Sequence, residues 1–511
     1  MTPSRSSAHR RRQRRRTATA APVGTPVRQP SRHLPPVELL SRDELDRVEH
    51  QAEWLLESIG IAVLDHPETT EKLVAAGCDL RRGRVHFPAG LAKQLCSTAP
   101  RRFTLHARDP AYSVDIGGDS LVFSPGYGAP FVRDLAGERR YATLDDFRNF
   151  VRLTWMSPWL QHSGGTVCEP VDVPVNKRHL DMVYAHIKYS AKPFMGSVTS
   201  KSRAEDSIDL ARLVFGERTL NAQAVIQGNV NVNSPLTFDA TMLDAIKVYA
   251  EAGQALLISP FMLSGAMGPV TIPGLVAQAH AETLVGIAIA QLYNPGAPVI
   301  YGNFISTLDL KSGAPAFGTP EAGLAALMVG QLCRRLGLPL RTGGHLTAAK
   351  IADAQAMQES VNTMHAGMQA GANFVLQSAG WLEGGLVMGY DKFVMDLDHL
   401  GMVHRLYNGI QIDDDSLATA AHQEAGASGD YIGCAHTYQH FRDANYRSDI
   451  ADNDAFEQWQ ENGGLSHKQR ATARCRKLLE SYSPPPLDSA IDAALCAFIA
   501  QRKETVPDRW H

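Results

Sequence analysis

The sequence predicts an α/β protein: a (β/α)8 TIM barrel with a helical N-terminal cap and a C-terminal helical extension. Three observations lead there. From about residue 120, a short apolar or β-rich run, a glycine-rich polar stretch and an amphipathic helix follow one another eight times over about 290 residues. Such alternation calls for parallel strands joined by right-handed crossovers, and that length suits an eight-stranded barrel. The competing doubly wound sheet usually binds a nucleotide at a glycine-rich first turn, and neither GxGxxG nor GxxxxGK[ST] occurs.

Residues 1–33 carry nine arginines and no acid, among Ser, Thr, Pro and Ala, and predict a disordered basic arm. The cap is assigned to residues 34–115. It opens with "SRDELDRVEHQAEWLLESIG", a Ser41-x-x-Glu44 capping box followed by Leu45, Val48, Ala52, Leu55 and Ile59 at helical spacing. The barrel is assigned to 116–412. Its strand-like runs are "SLVFSPGYG", "WLQHSGGTVCEP", "KPFMGSVTS", "AVIQGNVNVNS", "ALLISPFMLSGA", "PVIYGNFIST", "LPLRTGGH" and "NFVLQSAGWLEGG". The intervening helices often begin with Ser or Thr and acids in the first turn, as helix starts do. Residues 413–511, hinged at "SPPPLD", read as helices packed outside the barrel.

Composition excludes several roles. Beyond the arm, 41 Lys and Arg face 53 Asp and Glu, so nucleic acid is not expected as the main ligand. The uncharged run from Ala252 to Ala279 is broken by Pro260, Pro269 and Pro273, so no membrane span is predicted. Seven cysteines without CxxC pairs suit a reduced, cytoplasmic protein. Cys434-x-His436-x3-His440 lacks a clear fourth ligand, and no metal is expected there.

In a barrel, the residues just past each strand line one mouth. That rule selects Tyr127, Asn229, Phe261, Tyr301, Asn303, Arg341, Trp381 and Glu383 for substrate binding, and His345, which follows Gly343 and Gly344, for catalysis. The set is polar, nearly neutral and rich in aromatic rings. Phosphate would call for more Lys and Arg, a catalytic zinc for three close ligands, and a serine nucleophile for GxSxG, none of which is evident. Aromatic faces with a few amides and a carboxylate suit a bulky organic cation. Each residue also has a plainer reading: Tyr127 as a turn residue, Trp381 as core, Glu383 as a helix cap, the alternating asparagines as polar filling and His345 as structural. The functional reading requires Tyr301, His345 and Glu383 to share one cavity.

The stretches "SPGYGAPFVRDLAGERRYATLDDFRNFVRL", "VDVPVNKRHLDMVYAHIKYSAKPFMGSVTS", "GAMGPVTIPGLVAQAHAETLVGIAIAQL" and "GLPLRTGGHLTAAKIADAQAMQES" resemble the trimethylamine methyltransferase family, in its branch without pyrrolysine typified by glycine betaine:corrinoid methyltransferases. The likeness runs from about residue 38 to the end. It implies methyl transfer from a quaternary amine to the Co(I) of a corrinoid (cobalamin) carried by a cognate corrinoid protein, and a homo-oligomer as the working state. No DxHxxG corrinoid signature occurs, in keeping with a separate carrier. Ordinary residues fill "RTGGHLT", the stretch corresponding to pyrrolysine's place, and His345 is assigned the cobalt approach. The alternatives are a silent betaine-binding sensor or assembly partner, or an enzyme using trimethylamine or another methylated onium.

Overall fold

The computed structural model describes residues 29–510. Most of the basic arm lies outside them, but its predicted boundary at residue 33 is too late. Gln29 Nε2 donates to Asp115 O and Leu121 O, and the buried Arg32 donates to Ala372 O. The chain is therefore anchored from Gln29 onward by side chains that reach backbone carbonyls.

The following region mixes helices with small hairpins. Its helices are Arg42–Trp54, Pro67–Ala75 and Leu91–Cys96, and the Ser41/Glu44 capping box forms as the sequence indicates. Antiparallel pairs Asp79–Arg81 with Arg84–His86 and Arg102–Leu105 with Val114–Gly117 complete it, where a mainly helical cap was predicted. Gly83, at φ 76°, makes the first reversal possible, and the second runs through residues 106–113 with a short turn at Pro110–Tyr112.

The centre is a parallel sheet of β1 (Val122–Phe123), β2 (Gln227–Val232), β3 (Ala255–Leu263), β4 (Val299–Gly302), β5 (Phe304–Leu308), β6 (Leu340–Gly343) and β7 (Phe374–Leu376). The hydrogen-bonded path runs β2–β3–β4–β6–β7–β1, with β5 beside the far end of β3. The second and third predicted strands are not regular strands. Residues 161–164 and 193–196 instead link the two ends of the path by single bonds: Gln161 and His162 N–H to Phe123 O, Ser163 N–H to Pro193 O, Met195 N–H to Gly164 O, and Gly196 N–H to Gln227 O. Pro193 has no N–H to give and Gly164 sits at φ 97°, which explains the loss of a regular ladder.

The eighth predicted strand is also divided. Gln377 at φ 56° and Gly380 at φ 89° turn the chain after β7, so Trp381–Leu382 joins a second sheet with Val387–Gly389, Phe131–Arg133 and Arg139–Tyr141.

Strand side chains alternate between faces. On one face of the main sheet, Val122, Met195, Ala255, Leu257, Ile300, Phe374 and Leu376 pack into one cluster that joins both ends of the path. The opposite face packs against the helices, including Ile272–Tyr293. That helix is long and apolar enough to cross a membrane, yet 83% of its apolar window is buried inside the protein, against Arg42–Trp54 and its neighbours. Among the C-terminal helices, His467–Glu480 buries Ala471 and Cys475 against Tyr390–Tyr407, and Ser489–Thr505 buries Leu495 in the main core.

Candidate active site

Arg341, in the middle of β6, faces the inner side of the sheet. Strand register explains the space it occupies: it pairs with Gly302 on one side and Phe374 on the other. A Cβ on Gly302 would meet Ser259 Cβ at 2.4 Å and Ile258 O at 2.5 Å, so only glycine lets β3 and β4 approach this closely beside the guanidinium. Arg341 is 1% exposed and has no carboxylate partner among the described residues. Its NH1 donates to Ser259 Oγ (3.2 Å) and Asn303 O (2.9 Å), its NH2 donates to Gln377 Oε1 (2.7 Å), and its Nε has no partner. Burial in the absence of a counter-charge pushes the guanidinium down to about 9.

Above it lies an aromatic group. Arg341 Cζ sits 4.7 Å from the centre of the Phe304 ring, which touches Phe261 (4.9 Å), Trp381 (6.1 Å) and Phe317 (6.3 Å). Trp381 meets Phe317 edge-on at 6.0 Å, and its buried indole N–H is unpartnered. Further along the inner face, Asn229 Oδ1, both amide atoms of Gln227 and His162 Nε2 are also buried without hydrogen-bond partners among the described residues, as is Asn303 Oδ1 beside the carbonyl that Arg341 meets. His162 takes a bond from Gly164 N–H on Nδ1 and stands edge-on to Phe374, so its free Nε2 belongs to the same lining. Its burial holds it well below the usual imidazole range, hence neutral. Tyr127 is half-buried, bonded to Thr166 and Asn229, with its phenol raised by burial. Leaving one buried polar group unsatisfied costs ~1–3 kcal/mol, and several on one face indicate a polar partner.

Of the residues selected from the sequence, the structure therefore brings together Arg341, Phe261 and Trp381, with the backbone carbonyl of Asn303 beside them and Tyr127 and Asn229 on the same inner face. Three others lie elsewhere. Tyr301 points outward, as its alternation with Ile300 requires, and its hydroxyl meets His280 Nδ1 at 2.8 Å on helix Ile272–Tyr293. Glu383 is held by Arg139 Nε at 3.0 Å and Arg133 at 3.8 Å from the second sheet, so its charge is already matched. His345 is wholly buried, with Nδ1 at 2.6 Å from Ser378 O and Nε2 at 2.8 Å from His399 Nδ1. Both its ring nitrogens are occupied, which removes it from the assigned approach to cobalt. The expected shared cavity of Tyr301, His345 and Glu383 does not form.

His345 belongs to a second polar cluster, on helix Tyr390–Tyr407. Lys392, fully buried, donates to Asp396 Oδ1 at 2.5 Å, and Asp396 Oδ2 accepts from Gly380 N–H. Asp396 lies 3.6 Å from His345 Nδ1, and His399 packs edge-on against His365. Burial lifts Asp396 to about 6 and drops His399 to about 3. Phe304 and Phe317, which sequence reasoning did not select, complete the aromatic group. The one available signal was that Phe304 directly follows Asn303.

The sequence matches the family described as "Trimethylamine methyltransferase (MTTB)" over residues 6–507. The chain belongs to this family. It is 40% identical to a glycine betaine methyltransferase of Desulfitobacterium hafniense strain Y51, over 93% of this chain and 98% of that one. It is 27% identical to trimethylamine methyltransferase MttB of Desulfitobacterium hafniense strain DSM 10664 / DCB-2, over 91% and 94%. The solved monomethylamine methyltransferase MtmB of Methanosarcina barkeri aligns over 88% of this chain and 96% of that one, at 11% identity and a TM-score of 0.49.

Proposed function

We propose that this protein transfers a methyl group from a carboxylate-bearing quaternary amine, of the glycine betaine kind, to the Co(I) corrinoid of a separate carrier protein. In this reading the sheet, with 161–164 and 193–196 as its irregular members, is a (β/α)8 barrel, and the inner face is the substrate site. The observation that carries the proposal is Arg341, a buried cation without a carboxylate partner, directly beneath aromatic rings. A carboxylate on the substrate supplies the missing counter-charge, and the rings receive the trimethylammonium group. A substrate without a carboxylate, such as trimethylamine, leaves Arg341 unmatched.

The same arrangement favours transfer. A quaternary nitrogen leaves as a neutral amine, so its positive charge disappears in the transition state. Arg341 nearby disfavours the cationic ground state, and Glu383, committed to Arg139 and Arg133, does not hold the cation back. The neutral His162, the free amide of Gln227 and the free Oδ1 of Asn229 can orient the substrate without adding charge. The chain thus contributes orientation and exclusion of water, while the carrier's corrinoid supplies the nucleophile.

The test supplies purified protein with a cognate corrinoid protein and a Co(I) reductant, then offers glycine betaine, proline betaine, carnitine, choline and trimethylamine in turn. Formation of the methyl-Co(III) spectrum with a betaine, and its absence with choline and trimethylamine, is the expected result. Turnover of choline at the betaine rate removes the role given to Arg341. Tight betaine binding without a demethylated product identifies a sensor instead.

A further inference from the structure

Between helices Tyr390–Tyr407 and His467–Glu480 the chain makes an excursion that packs little of its own apolar surface. It does bring three metal-ligating side chains to one point. His436 and His440 are four residues apart on helix Ala435–His440, so both rings leave the same side, with centres 4.5 Å apart. Asp415, far upstream, faces them: its Oδ2 lies 3.0 Å from His440 Nε2 and its backbone oxygen 3.0 Å from His436 Nε2. One ligand atom from each residue lies within 4.8 Å of the others. The contact between His440 and the carboxylate lacks hydrogen-bond alignment, which leaves His440 Nε2 buried without a hydrogen-bond partner.

We infer that Asp415, His436 and His440 form a zinc site, remote from the proposed methyl-transfer chemistry. Two imidazole nitrogens and one carboxylate oxygen are a donor set for a borderline cation such as Zn2+, whereas Ca2+ and Mg2+ require oxygen ligands throughout. Three protein ligands leave a fourth position for water. Cys434 does not take it, because its thiol is buried toward the carbonyl oxygens of Asp430 (3.6 Å) and Ala421 (3.9 Å). The ion ties the stretch around Asp415 to helix Ala435–His440 across a loop with few apolar contacts, so its effect is local ordering of this excursion.

The experiment uses the full chain without a polyhistidine tag, stripped with a chelator, equilibrated with zinc chloride and desalted, with metal measured by mass spectrometry. One zinc per chain is expected, lost in Asp415→Asn and in the double variant His436→Gln/His440→Gln, and retained in Cys434→Ser. Circular dichroism establishes that each variant folds. Should a variant fail to fold, the wild-type chain decides alone: Co2+ in place of zinc should give four-coordinate ligand-field bands, and zinc should protect His436 and His440 from acylation by diethyl pyrocarbonate. A wild-type chain that retains no zinc, a folded double variant that keeps it, or unprotected histidines overturn the assignment.

Discussion

Two buried cations, Arg341 and Lys392, sit in opposite circumstances. Lys392 has a carboxylate at 2.5 Å, and that carboxylate has a backbone N–H and a histidine beside it. Arg341 has a hydroxyl, a carbonyl, an amide and a ring, but no negative charge. A buried ion whose needs are met within the chain contributes to architecture. One that lacks a counter-charge and lies under aromatic rings, as Arg341 does, is where we propose that a ligand's charge completes the set.

Breaking the first arrangement should have the largest effect. Lys392→Met leaves Asp396 buried without its partner and should cost ~3–5 kcal/mol of stability, read as a lower urea midpoint. Activity per folded molecule should hold; a stable but inactive variant would move the network into the chemistry. Arg341→Met should do the reverse. Loss of charged hydrogen bonds worth ~1.5–3 kcal/mol lowers kcat/KM for the betaine by roughly 10- to 150-fold, while the urea midpoint holds or rises. The sign follows from linkage. A guanidinium lowered from its ordinary 12.5 to about 9 in the fold costs stability whenever it is charged, a cost fully present as pH falls below about 9.

Trp381→Ala and Phe304→Ala test the rings. Each should weaken cation binding by ~1–2 kcal/mol, seen as a 5- to 30-fold rise in KM. Titration should sharpen the comparison with the smallest change. His162 stays neutral and Arg341 charged near neutrality, so betaine affinity should be level from about pH 7 to 8 and decline only through about 9, where the guanidinium loses its proton. A steep change near pH 6.5 would point to an ordinary histidine in the site.

Much of this was legible in the sequence, and for identifiable reasons. The helices announced themselves through caps and periodicity, as at Ser41 and Thr143. Phe261, Asn303, Arg341 and Trp381 could be selected because strand ends mark where a mouth would be. The rule fails where orientation decides. Tyr301 and Ile300 are neighbours, and only the register of β4 tells which one faces inward. His345 looked available because its partners, Asp396 and His399, arrive from a helix more than fifty residues later. Glu383 appeared free because Arg139 is far away in sequence and meets it only through the second sheet. The predicted second and third strands did not form as strands: residues 161–164 and 193–196 keep only single bonds to their neighbours, since Pro193 has no N–H to give and Gly164 stands at φ 97°.

Gln377 gives the last lesson. Its amide oxygen receives Arg341, while its own backbone stands at φ 56°, where a residue with a Cβ pays ~1–3 kcal/mol. Replacement by glycine would relieve that expense and set the guanidinium loose, hardening the molecule and dulling it in one stroke. A selection for heat resistance alone would drift toward glycine at this position. Retention of the longer side chain would then record what the protein is for rather than how well it stands.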